Sequence, residues 1–374
     1  MAFGASQYTL RRRAPRRAGA RIMQIPLLLV GFGHVGQRFV RLLEESRPAL
    51  SALGIEPTIV GVATGRGGLV FDSAGLDPFQ AVHSTASGDL RTPQASPAWE
   101  YTARLRSLTA ETRLLVETTP LDIRSGEPAI AHVRAGLAGG AHVITANKGP
   151  AAFAYAALAR EAEAAGLSFL FEGTVMDGIP VLNLVRECLP AATIRGFRGV
   201  INSTTNHILT AMEGGEPFAE ALARMQADGV AETDPSLDVD GWDAAAKTAV
   251  LANVWLDAGV TPRMIRREGI SADTATRAAR ALARGRRLKL VARAARTGGV
   301  VDAAVELQEL EPTDPLGSLD GQGNAIEIDT WPAGRIVVTQ RDGGLEKTAY
   351  ALVSDLVTVA TRARRGSPSP MRSP

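Results

Sequence analysis

The residues with the most evident chemistry are an aspartate and a lysine set four apart at the head of an apolar helical stripe. They close the segment Glu232-Thr-Asp234-Pro-Ser-Leu-Asp238-Val-Asp240-Gly-Trp-Asp243-Ala-Ala-Ala-Lys247. Asp240 is placed to cap a helix that begins near Gly241 or Trp242. Asp243 and Lys247 then share one helix face, where an exposed pair is ordinarily a surface salt bridge of about 0.3–0.5 kcal/mol. The same stripe continues through Val250, Leu251 and Val254, so this pair points inward. Charges paired in an interior mark functional sites more often than structural ones. An ammonium held there can stabilise a developing negative charge and supply a proton. The acids Glu232, Asp234, Asp238 and Asp240 just ahead would attract a ligand's ammonium group.

A second chemistry-bearing stretch is Gly31-Phe32-Gly33-His34-Val35-Gly36. Alone, a G-x-G-x-x-G pattern is weak and describes many glycine-rich turns. This one directly follows the apolar run Ile25–Val30 and directly precedes a helical pattern with Val35, Phe39, Leu42 and Leu43 in register. In that context the first glycine makes the turn and the second admits a pyrophosphate. The third lets helix and strand pack closely, and the helix amides face the phosphates. The site predicted is for a dinucleotide. The next strand ends Val62-Ala63-Thr64-Gly65-Arg66, with no acid for a ribose 2′-hydroxyl and with Arg66 suited to a 2′-phosphate. NADP is therefore favoured over NAD.

The elements that position these groups follow from periodicity. Ile25–Val30, Thr58–Ala63, Leu114–Glu117 and His142–Thr145 are predicted strands, separated by helices such as the one around Pro128–Ala138 that stops at Gly139-Gly140. Alternating strand and helix implies a doubly wound parallel sheet, a Rossmann domain over residues 23–150. From 151 to 340 strands and helices mix. A helix is predicted at Ala151–Ala165, strands at Ser168–Phe171, Ile194–Ile201, Ala303–Leu307, Ala325–Thr330 and Arg335–Thr339, and helices at Pro217–Ala227, Trp242–Ala258 and Thr274–Ala292. That is an α+β substrate and dimerisation domain. A helix over Lys347–Ala360 lies within a C-terminal unit at 341–362, and 363–374 is a tail of disordered composition.

Composition narrows the function classes. The 374 residues carry a net charge of +2, but residues 1–22 hold six arginines and residues 361–374 hold four, without an acid in either, so the rest carries −8. The basic balance belongs to the ends and argues against a nucleic-acid surface. Residues 1–22 lack the apolar core of a secretory signal. The expectation is a disordered extension, or a start placed upstream of Met23. No run is long and apolar enough to span a membrane. A single cysteine, Cys188, leaves no disulfide framework and suits the cytoplasm. The five histidines show no metal-ligand spacing.

From Ile25 to Leu356 the chain resembles homoserine dehydrogenase. The resemblance rests, in order, on the glycine loop, Glu117-Thr-Thr-Pro120, His142-Val-Ile-Thr-Ala-Asn147-Lys148, Glu172-Gly-Thr-Val-Met-Asp-Gly-Ile-Pro180, Asn202-Ser-Thr-Thr-Asn206, and Asp234 through Lys247. It implies reversible conversion of aspartate 4-semialdehyde to homoserine, in threonine, methionine and isoleucine biosynthesis, by a homodimer. It implies that Thr118, Thr119, Asn147 and Lys148 lie near the nicotinamide, with Lys148 also reaching the substrate. Glu232 and Asp238 would bind homoserine, and Asp243 with Lys247 would be the catalytic pair. Glu172, Val175, Asp177 and Ile179 would hold a sodium or potassium ion, mainly through main-chain oxygens. Two segments depart from the family pattern. Thr339-Gln-Arg-Asp-Gly343-Gly344-Leu-Glu-Lys stands where a smaller glycine-rich loop is usual, and Met176-Asp177 replace smaller residues.

Two other classes fit parts of the sequence. An aldehyde dehydrogenase would need a nucleophilic cysteine at the nicotinamide, whereas Cys188 ends the predicted helix Val181–Leu189 as a buried structural thiol. A non-catalytic NADP-binding scaffold would be marked by the altered loop around Arg341-Asp342. Activity with homoserine separates all three.

Overall fold

Short apolar runs, buried on both faces, build the first of two sheets. The computed structural model describes residues 22–65, 68–86, 98–227 and 234–365. The first sheet contains β1 (Met23–Val30), β2 (Ile55–Thr64), β3 (Gly68–Phe71), β4 (Leu114–Glu117), β5 (His142–Thr145) and β6 (Phe169–Leu170), in the order β3-β2-β1-β4-β5-β6. All neighbours are parallel except β3, which folds back antiparallel on β2. Alternate residues of β1 serve opposite faces. Ile25, Leu27 and Leu29 pack with α1 (His34–Glu45) and with the last helix, whereas Leu28 and Val30 join a core shared with the helices of the other face. α2 (Arg47–Ala52), α3 (Pro78–Ala86), α4 (Ala98–Thr109), α5 (Ala129–Ala138) and α6 (Lys148–Ala164) complete this layer.

The expected break at residue 150 differs from what the sheet does. Pro150 lies inside α6, and β6 pairs with β5, so the first sheet runs on to Leu170. A two-residue strand at a sheet edge has too little pattern to be assigned to one sheet rather than another.

The second sheet orders β12-β11-β7-β9-β10-β8. Its strands are β7 (Thr193–Val200), β8 (Arg266–Arg267), β9 (Arg287–Thr297), β10 (Val300–Leu310), β11 (Asn324–Trp331) and β12 (Gly334–Gln340). The helices between are α7 (Val181–Asn183), α8 (Ser203–Glu213), α9 (Phe218–Ala227), α10 (Ser236–Val239), α11 (Trp242–Leu256) and α12 (Ala272–Ala283). α8, α11 and α12 pack on β9, and α11 also lies against α6 of the first layer. One continuous core, from Leu28 and Val143 to Val250 and Ile326, joins the two layers.

The helix expected over Thr274–Ala292 is two elements. α12 ends at Ala283, Gly285 turns left-handed at φ +73°, and β9 begins at Arg287. The run Leu288-Lys-Leu-Val-Ala is fully buried on both faces and so lacks the alternation that would reveal a strand. Gly298 and Gly299, both at positive φ, then close the β9–β10 hairpin. The C-terminal helix, α13 (Leu345–Arg365), is longer than its apolar pattern and packs against α1.

Candidate active site

The glycine loop lies where the strand order reverses, between β1 and β4, the position at which open α/β sheets bind ligands. Gly31 takes φ +91°, and a Cβ there would stand 2.6 Å from the Thr118 carbonyl carbon and 2.7 Å from the Thr119 nitrogen. Gly36 is similarly confined, with Gly31 O and Thr118 Oγ1 at 3.0 Å from a Cβ. Gly33 meets nothing within 4 Å, which leaves its backbone open to a phosphate at the head of α1. Val35 is half-buried in α1. Phe32 turns its ring away, edge-on to Phe79 at 5.2 Å, so only its main chain belongs to the loop.

Behind the loop, Glu117 is fully buried and holds the two following turns together. It accepts from Thr119 N at 2.9 Å, from the Thr119 hydroxyl and from Thr145 Oγ1 at 2.7 Å. Asn147 caps α6, accepting from Gly149 N at 2.8 Å, and donates to Thr119 O at 2.9 Å and Pro120 O at 3.2 Å. Its amide is thus engaged by protein. It fixes Thr118–Pro120 and sets the next residue, Lys148, at the first turn of α6.

Lys148 reaches across to α11. Its Nζ lies 3.1 Å from Asp243 Oδ1, while Lys247 Nζ lies 2.9 Å from Asp243 Oδ2 and donates to Ile201 O at 2.8 Å. Side-chain exposures of 22%, 15% and 13% for Lys148, Asp243 and Lys247 leave the trio mostly withdrawn from solvent. Burial opposes the charge on Asp243, but the ammonium groups of Lys247 and Lys148 outweigh it and hold the carboxyl below the usual range. Burial likewise opposes charge on Lys247, yet Asp243 and Asp177 together keep its pKa above an ordinary lysine's. Asp238, at the end of α10, is pushed up by burial and by the neighbouring Asp243 charge.

Asp240 does not cap α11. Gly241 occupies that position at φ +77°, where a Cβ would stand 2.6 Å from Glu268 O, and only a glycine fits. The residue that sequence reasoning left without a role is Asn202. Its Nδ2 donates to Asp238 Oδ1 at 2.7 Å and to Asp243 Oδ2 at 2.8 Å. The available signal was an asparagine just ahead of a helical run, the pattern of an N-cap.

A sequence profile described as "Homoserine dehydrogenase" matches residues 180–357, and one described as "Homoserine dehydrogenase, NAD binding domain" matches residues 31–172. The chain belongs to the homoserine dehydrogenase family. The "NAD(+)-dependent homoserine dehydrogenase" of Pseudomonas canavaninivorans is 36% identical over 343 residues, which is 91% of this chain and 97% of its own. The "Homoserine dehydrogenase" of Methanocaldococcus jannaschii is 32% identical over 91% of this chain and 99% of its own. A homoserine dehydrogenase structure from Thiobacillus denitrificans is similar with a TM-score of 0.75 at 29% identity, covering 95% of this chain and 77% of that one. The activity is that of a homoserine dehydrogenase, an oxidoreductase with an NAD-binding domain, and nothing favours a scaffold without catalysis.

Thr118 and Thr119, Asn147 and Lys148, and Asp238, Asp243 and Lys247, three separate stretches, therefore meet at one site or support it. Arg66 and Glu232 lie outside the described residues. In the proposed cation loop, the Glu172 carboxylate is engaged by Leu182 N and Asn183 N, both at 2.8 Å. Val175 is buried, and Ile179 O accepts from Val181 N at 2.8 Å. Asp177, at φ +52°, turns its carboxylate to Gly344 N at 2.9 Å. The two segments that depart from the family pattern thus touch each other. Cys188 is exposed, not buried as its helical context suggested, because the chain widens after Asn183 and turns it outward. Among the described residues no helix is long and apolar enough to cross a membrane, and no group of three or more His, Cys, Asp or Glu could hold a metal.

Proposed function

We propose that the chain interconverts L-homoserine and L-aspartate 4-semialdehyde with Lys247 as the proton-transfer group. The observation that carries this is the double ion pair of Asp243, which gathers two ammonium groups around one carboxylate. The nicotinamide, when bound, exchanges hydride with the substrate's terminal carbon. In reduction the Lys247 ammonium protonates the new alkoxide; in oxidation its neutral amine takes the hydroxyl proton. Asp243 orients Lys247 and lowers the cost of holding it charged. Lys148 adds a second positive charge beside the reacting oxygen, and Asp238 with Glu232 receives the substrate's ammonium group. Gly31, Gly33 and Gly36 admit the pyrophosphate, with Thr118 and Thr119 beyond them.

NADP is the favoured acceptor. β2 ends at Thr64 without an acid, and Gly65 and Arg66 follow in sequence. The NAD(+) in the Pseudomonas relative's name makes the comparison pointed. Assays with homoserine, following the absorbance of reduced cofactor, should give a higher kcat/KM with NADP than with NAD. Arg66→Ala should raise KM for NADP far more than KM for NAD. Equal effects, or a parent preference for NAD, would refute the assignment.

A monovalent cation at Glu172, Val175, Asp177 and Ile179 would be held mainly by main-chain oxygens, since the Glu172 and Asp177 carboxylates serve the protein, accepting from Leu182 N, Asn183 N and Gly344 N. Homodimerisation through the second sheet is part of the same reading, supported by exposed Trp331 and Val337 beside the half-buried Arg198–Glu327 pair. Sedimentation of the purified chain decides it. A cytoplasmic, biosynthetic role agrees with one unpaired cysteine.

A further inference from the structure

Asn202 stands between β7 and α8 with every polar atom of its side chain engaged. Its Oδ1 accepts from Thr205 N at 2.8 Å and from Thr205 Oγ1 at 2.9 Å, which caps α8. Its Nδ2 gives its two hydrogens to Asp238 and Asp243. The cap decides which way the amide faces. With the oxygen committed to the Thr205 N–H, both donors must point at the two acids, and a flipped amide would set oxygen against carboxylate and N–H against N–H. Those acids come from different elements, α10 and α11. Nothing else described donates to both.

We propose that Asn202 is a positioning residue of the dehydrogenation, clamping Asp238 and Asp243 so that one faces the substrate's ammonium group and the other holds Lys148 and Lys247. The inference rests on the roles given above to those two acids. Two half-buried carboxylates side by side repel, and each would turn away or take up a proton if nothing stood between them. A shared amide opposes both outcomes through two charge-assisted hydrogen bonds. It also passes the rigidity of a helix terminus to the lysine that moves the proton, where small displacements of reacting groups are costly in rate.

The test is Asn202→Ser, which keeps a cap acceptor and removes the amide nitrogen that donates to both acids at once, alongside Asn202→Asp, which keeps shape and cap but turns donors into acceptors. Asp238→Asn and Asp243→Asn are measured in parallel. Asn202→Ser should retain the parent's melting temperature to within a few degrees and its cofactor dissociation constant. KM for homoserine should rise, and kcat fall, by about tenfold or more each. The acid limb of kcat/KM should also move to higher pH, since Asp238 loses a hydrogen bond that favours its charge. The groups facing it are Asp243 and Lys247 on α11, Asn202 itself and Thr204 on α8, with Lys148 acting on Asp243 and Asp177 on Lys247. Asn202→Asp should be more severe; should it not fold, Asn202→Ser decides. Overturning results are kcat and KM within about threefold of the parent, or a fall in melting temperature that accounts for the activity loss with the acid limb unmoved. If Asp243→Asn and Asp238→Asn are themselves within threefold, the reading of the site fails. If only they are impaired, the clamp alone fails.

Discussion

At the scale of single residues, the pair Asp243 and Lys247 behaves as its spacing suggested, but its environment was not visible in that spacing. An i,i+4 ion pair on a helix surface is weak. This one is mostly withdrawn from water, shares its carboxylate with Lys148 and feels Asp177 as well. Lys247→Met keeps most of the side-chain volume and removes the charge. Turnover should fall by about 10²–10⁴-fold with nearly unchanged cofactor binding. Lys247→Arg should not restore it, because a guanidinium stays protonated and its planar fork sits elsewhere. Oxidation needs the neutral amine and the lysine's pKa is raised, so oxidative turnover should still be climbing above pH 10 in the parent. That climb should be missing in Lys247→Met. Turnover of Lys247→Met within about threefold of the parent would transfer the role to Lys148.

At the scale of elements, helix starts do the positioning. Asn147 heads α6, Asn202 heads α8, and Gly241 heads α11, and the polar groups of the site sit on or beside these first turns. Asn147→Ala tests the arrangement apart from the chemistry. It removes a cap, worth about 0.5–2 kcal/mol, and leaves the carbonyls of Thr119 and Pro120 without their donor. Denaturant unfolding should show a loss of that order or somewhat more. KM for the cofactor should rise as the Thr118–Pro120 turn loosens, with a smaller change in kcat. An unchanged KM alongside the stability loss would mean that the clamp serves folding only.

At the scale of the whole molecule, the two layers share a core and the C-terminal helix returns to the first of them. Residues 1–22 contribute no apolar pattern. A chain beginning at Met23, where β1 starts, should therefore match the full chain in melting temperature and turnover. A large loss of either would show that the arginine segment docks on the body. Lys289 gives a second global readout. It is fully buried on β9 and bonded to Asn206 Oδ1 at 3.0 Å and Leu319 O at 2.6 Å. Burial pulls its pKa down to about 8 from an ordinary 10.5. Between those values the unfolded chain binds the proton more tightly than the folded one, so stability should rise with pH across that window. The slope is at most about 1.4 kcal/mol per pH unit. Urea titrations at pH 7.5, 8.5 and 9.5 should show the rise in the parent, and Lys289→Met should lack it.

What the order of residues determined by itself was everything that local pattern controls. The glycine loop between a buried strand and a helix, the strands Leu114–Glu117 and His142–Thr145, and the Asp243–Lys247 spacing each depend on neighbours a few residues away. Motif order extended that to a family, and through it to the acids and lysines of the site. Tertiary structure alone decided the contacts that join distant segments. β9 hid because a strand buried on both faces has no alternation, and its leucines, lysine and alanines suit a helix equally well. Cys188 faces outward because a helix widens locally, and Asp177 turns to Gly344 across 167 positions. Asn202 could be recognised as a cap, but not as a bridge between two acids. Which donors an amide has left after capping, and what stands opposite them, depends on how α8, α10 and α11 pack, and no stretch of sequence contains all three contacts.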